Sequence, residues 1–125
     1  MFELSKQFRF DAAHTLDRVI DAEGSRRIHG HSYRAEVVIR GKADPKTGMV
    51  IDLGLFERVL EEARRGLDHH FLDDVPGLGP ATMENLSAWI WRKVSGSCGA
   101  LARVTVYRDS TGDTCSYFGA TEDEK

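Results

Sequence analysis

Cysteine is scarce in this chain: Cys98 and Cys115 are the two among 125 residues. They form no CxxC pair and no disulfide framework, which excludes a stapled secreted scaffold and makes a reduced, cytoplasmic setting the expectation. Long apolar runs are also missing. No stretch approaches the ~18 residues of a membrane-spanning helix, and Met1-Phe2-Glu3-Leu4-Ser5-Lys6 has no continuous apolar segment of the kind a signal peptide carries. No membrane partner is expected. An excess of one charge is lacking as well. Seventeen Lys and Arg stand against 20 Asp and Glu, a net charge of -3, with no basic block. That patterning gives no sign of a nucleic-acid partner.

What is present suits one ordinary domain, with 41% hydrophobic residues for a core. Residues 2–10 alternate, with Phe2, Leu4, Phe8 and Phe10 on one face of a half-buried strand that Asp11-Ala12-Ala13-His14 ends. Residues 17–27 are polar and read as a loop long enough to be functional. Residues 32–41 alternate again, with Tyr33, Ala35, Val37 and Ile39 together. After the turn Asp44-Pro45-Lys46-Thr47-Gly48, Asp52 can cap a helix over residues 53–65 that carries Phe56, Leu60 and Ala63 on one stripe and stops at Gly66. Thr82 can cap a second helix with Leu86, Trp89, Ile90 and Val94 inward. Strands follow at 101–108 and 114–118. The order strand, strand, helix, helix, strand, strand predicts an α+β fold, an antiparallel four-stranded sheet with two helices on one face. So small a sheet leaves two edges to cover, and oligomerisation with a site at the subunit border would cover them. The domain is expected to span residues 1–120, with 121–125 a polar tail.

The chemistry concentrates in histidine. His29 and His31, at i and i+2 of a strand, point to one face. His14 ends the neighbouring strand and is placed to join them. Three imidazoles without a thiolate match an open catalytic zinc site, and a set of structural histidines is the plainer alternative. In Leu67-Asp68-His69-His70-Phe71-Leu72, Asp68 either orients the His69 imidazole or marks a polar helix-to-loop junction. Glu84 in a first helical turn suits the helix dipole, with substrate binding as the sharper reading. Arg26-Arg27 would suit a phosphate or a solvated loop equally.

These segments together resemble the 6-pyruvoyl-tetrahydropterin synthase / 6-carboxy-tetrahydropterin synthase family. The likeness runs through Phe8-Arg9-Phe10-Asp11-Ala12-Ala13-His14, Ile28-His29-Gly30-His31-Ser32-Tyr33, Gly48-Met49-Val50-Ile51-Asp52, Leu67-Asp68-His69-His70-Phe71-Leu72 and Thr82-Met83-Glu84-Asn85-Leu86. The resemblance implies the tunnelling (T) fold, ββααββ, assembled as trimers into hexamers with interfacial sites. It implies Zn2+ on His14, His29 and His31, and proton transfer by Asp68 and His69. The small-molecule substrate it implies is dihydroneopterin triphosphate, which loses triphosphate or is cleaved by a retro-aldol step. Some members act on deaza-purine precursors in queuosine biosynthesis.

Two positions depart from the family pattern. Where the family has a catalytic cysteine, four residues before His29, this chain has Ser25, which holds its proton far more tightly than a thiol. Where some relatives place a glutamate, it has Arg26; Glu23 and Asp21 are the nearby carboxylates. Where the family has a pterin-anchoring glutamate, it has Arg108, which only donates hydrogen bonds. Asp109 could take over that contact if a bulge turned it inward. The resulting expectation is a zinc-dependent lyase with an altered substrate held by Arg108. A true pterin synthase with Glu23 or Asp21 as base is the alternative, and a non-catalytic zinc-containing metabolite-binding oligomer is a third.

Overall fold

The computed structural model describes residues 1–124. Strands β1 (Phe2–His14), β2 (His29–Gly41), β3 (Leu101–Arg108) and β4 (Asp113–Tyr117) form one antiparallel sheet in sequence order. A short helix α1 (Ala22–Arg26) lies between β1 and β2, and α2 (Leu53–Arg65) and α3 (Met83–Ser95) lie between β2 and β3. The two long helices pack on one sheet face. Phe56, Leu60, Leu86 and Ile90 share a core with Phe10, Tyr33, Val37, Val104 and Val106. The arrangement is the expected α+β fold.

Local chemistry explains the helix starts. The Asp52 carboxylate accepts from Gly54 N–H at 2.8 Å and the Thr82 hydroxyl accepts from Asn85 N–H at 3.1 Å, each satisfying an orphan donor of a first turn. Four details differ from the sequence expectation. β1 continues past Phe10 to His14, because Asp11–His14 pair with residues 29–32 of β2. The loop 17–27 contains α1, closed by Ser25 N–H donating to Asp21 C=O at 2.9 Å. Phe2, expected inward, is exposed at the start of β1. Gly66 does end α2, yet its backbone is ordinary right-handed helix (φ -73). What demands glycine is Trp89, whose ring a β-carbon would approach to 2.7 Å. In the tail, Glu122–Glu124 make a single 3-10 turn, and Lys125 lies outside the described residues.

Candidate metal centre and active site

Strand register gathers the histidines. In the β1–β2 ladder His14 stands opposite His29, and Ala12 opposite His31. Partnered residues share a face, so all three imidazoles project to the helix side. One nitrogen from each ring lies within 4.8 Å of the others. The tautomers of two rings are fixed by their partners. His14 Nδ1–H donates to Ala81 C=O at 2.9 Å and His29 Nδ1–H to Arg27 C=O at 2.8 Å, since a carbonyl can only accept. Each ring is thereby left with Nε2 as its ligand atom, and these two nitrogens face each other at 3.0 Å. Two lone pairs so placed repel unless a cation takes both. Two nitrogens on one tetrahedral zinc, bonded at ~2.0–2.1 Å, stand roughly 3.3 Å apart, so the donor set fits that ion. Burial holds the His14 pKa below its ordinary value. Burial, then the Arg108 guanidinium, depresses that of His31 to about 4. Both rings are thus unprotonated at neutral pH, as ligands must be.

Asp68 and His69 sit at the outer edge of β1. Asp68 Oδ1 accepts from Asp11 N–H at 2.9 Å, and Oδ2 accepts from His69 Nδ1–H at 2.9 Å and from Arg64 Nη1–H at 2.8 Å. The Asp11 amide, then His69 and Arg64, hold the Asp68 pKa below the usual carboxylate value. The backbone here is bent to purpose. His69 adopts a left-handed φ of 59, and its N–H donates to Asp11 C=O at 2.7 Å. A non-glycine residue held there signals local constraint of the kind active sites carry. Ala13 N–H donates to His70 C=O at 3.3 Å and Thr15 N–H to Asp73 Oδ1 at 3.0 Å, so residues 68–73 are stitched along β1. His69 and His31 line one cavity of about 520 Å³.

His14 opens on a second cavity of about 690 Å³, with Tyr33, Thr82, Glu84, Arg108 and Cys115 in its walls. Arg108 donates from Nη2 to Asp113 at 2.7 Å, and its Nη1 lies 3.4 Å from His31 Nε2. Its Nε is buried and has no partner among the described residues. The structure brings Glu84 into this cavity as well. It does not bring in Asp109. That carboxylate lies on the opposite sheet face, bound by Arg34 Nη2 at 3.1 Å, because one step along an extended strand reverses the side chain; no bulge intervenes. Glu23 is exposed and paired to Arg27 at 3.0 Å. The Asp21 carboxylate folds back against Gly24. Ser25 is buried, its hydroxyl donating to Ala22 C=O at 3.1 Å within its own helix. None of these three reaches the imidazoles in this chain.

A family model described as "6-pyruvoyl tetrahydropterin synthase" matches residues 3–120. The chain belongs to the 6-pyruvoyl tetrahydropterin synthase family. It is 37% identical over 100 residues to a 6-carboxy-5,6,7,8-tetrahydropterin synthase of Synechocystis sp., covering 75% of each chain. It is 33% identical over 121 residues to the human 6-pyruvoyl tetrahydrobiopterin synthase, covering 84% of this chain and 83% of that one. The structure of the Caenorhabditis elegans 6-pyruvoyl tetrahydropterin synthase superposes with a TM-score of 0.82 at 26% identity, covering 95% of this chain and 96% of that one. Membership of this synthase family supports a general enzyme role.

Against the family background, three neighbours of the site were not found by motif. Asp113, which holds Arg108, reads in sequence as part of a turn; only the pairing Arg108↔Asp113 across the β3–β4 hairpin reveals it. Tyr33, stacked on Phe10 with ring centroids 4.9 Å apart, reads as core. Arg64 stands four residues before Asp68, a spacing that would have pointed to it had α2 been continued through the Gly66 turn.

Proposed function

We propose that this chain is a zinc-dependent lyase acting on the side chain of a pterin-like or otherwise acidic or phosphorylated small molecule, by elimination or retro-aldol cleavage. His14, His29 and His31 would hold Zn2+, which when bound supplies Lewis-acid polarisation of a substrate hydroxyl or carbonyl. One observation carries the reading. An imidazole of the metal-binding set and an imidazole oriented by a carboxylate open on the same cavity. His69 gives its Nδ1–H to Asp68, which leaves Nε2 free to take a proton from substrate and return it.

Arg108 sets the other end. A guanidinium donates and never accepts, so it favours a carboxylate, a phosphate or a carbonyl-bearing ring. Arg108 and Glu84 line the same cavity, and Glu84 can accept from substrate N–H or O–H groups. The His69 side chain is 80% exposed. That exposure supports a homo-oligomer, trimer or hexamer, in which a neighbouring subunit closes the site. A cytoplasmic location accords with the reduced-thiol composition.

Family membership and the names of the relatives favour a second reading, a true pterin synthase. The positions of Glu23, Asp21 and Asp109 weigh against it, since that reading needs one of them as base or anchor. Incubating the zinc-loaded protein with dihydroneopterin triphosphate, and following triphosphate release and pterin products by mass, separates the two. Turnover establishes the pterin synthase. No turnover with zinc bound is the outcome expected for an altered substrate, and Arg108→Glu should then restore pterin binding.

A further inference from the structure

We infer that Arg64 is a positioning residue for His69, held in place by Glu61 and acting through Asp68. The inference rests on the proton-transfer role given above to Asp68 and His69. Three contacts carry it. Arg64 binds Glu61 with two parallel bonds, Nε to Oε2 at 2.9 Å and Nη2 to Oε1 at 3.0 Å. Such a fork fixes the plane of the guanidinium. The remaining amine, Nη1, then reaches Asp68 Oδ2 at 2.8 Å. That same oxygen accepts the Nδ1–H of His69. Glu61, Arg64, Asp68 and His69 thus form an alternating row that runs from the surface of α2 to the cavity.

Sharing one oxygen has two consequences of the same sign. Arg64 draws charge from the acceptor that would stabilise a protonated His69, and its own positive charge opposes a second cation nearby. Both act against a second positive charge at this end of the row. The fork also prevents the Asp68 carboxylate from rotating away. The other charged or titratable groups around His69 are Asp11 of β1, His31 of β2 and the adjacent His70, which line its cavity. Arg65, which also binds Glu61, points to solvent.

The test is a histidine titration by NMR on the zinc-loaded, intact protein labelled at histidine Cε1, with His69 assigned from the His69→Gln spectrum. Arg64→Met should raise the His69 midpoint on the order of half a pH unit. Arg64→Lys should keep it near the parent value. Glu61→Gln, which leaves Arg64 uncompensated, should lower it. A purely structural Arg64 predicts no movement, or movement of both variants in one direction, and either result overturns the inference. The Glu61 arm keeps the test decisive if Arg64→Met does not fold. Turnover of His69→Gln addresses the catalytic reading separately. A midpoint that follows the charges in an enzyme indifferent to His69 would sink the role in proton transfer and leave the charge row standing.

Discussion

Single side chains in this site differ in what their loss should do. His31 is only partly buried and lies at a cavity wall, so His31→Ala should leave the fold intact and reduce bound zinc several-fold or more, measured by metal analysis after dialysis. His14 is 1% exposed and bonded to Ala81, so His14→Ala should lose metal and also stability, by about 1 kcal/mol for the hydrogen bond alone. His69→Gln should keep its zinc and lose turnover by ~10²–10⁴-fold, the usual share of a general base. Asp68 gives a pH signature. Its pKa is depressed from the ordinary 3.8 in the folded chain, so its stabilising contribution is present above that value and disappears as pH falls through the lower folded one. Urea midpoints measured from pH 5 to pH 3 should therefore fall more steeply for the parent than for Asp68→Asn.

At the scale of elements, caps and close contacts decide. Asp52→Ala should cost about 1 kcal/mol in urea unfolding, the usual worth of an N-cap. Gly66→Ala should cost ~1–3 kcal/mol, because the added methyl meets the Trp89 ring. A glycine needed only to end a helix would instead gain slightly from alanine at this right-handed φ. The helices were legible from caps and apolar spacing, and α2 over residues 53–65 is as the spacing suggests. The end of β1 was not legible. Asp11-Ala12-Ala13-His14 has weak strand character, and it is extended because β2 offers a partner for each residue. The same gap left the site's geometry coarse: the sequence places His14 to join His29 and His31 across the strand pair, without its exact partner. The motif residues could be named from the chain, but that His14 lies across from His29 is a fact of register. Arg64 and Asp113 were invisible because their partners are set by a turn and a hairpin.

For the whole molecule, the sheet presents two open edges, β1 and β4. Val19, Ile20, Ile28 and Phe118 are exposed apolar side chains. A monomer would carry both at a cost in solubility. Light scattering coupled to gel filtration should give three or six times the mass of one chain, and a monomer would remove the subunit-border reading of the site. The stitching of residues 68–73 along β1 has a consequence for that assembly. Asp11 N–H, Asp11 C=O and Ala13 N–H are already engaged on the outer edge of the strand, and Thr15 N–H is engaged just past its end. A strand from a neighbouring subunit would find open backbone groups only in the part of β1 before Asp11. The segment that carries His69 would then act as a stop on a ruler. It would fix how far one subunit can slide along another, and so fix the phase at which their surfaces meet.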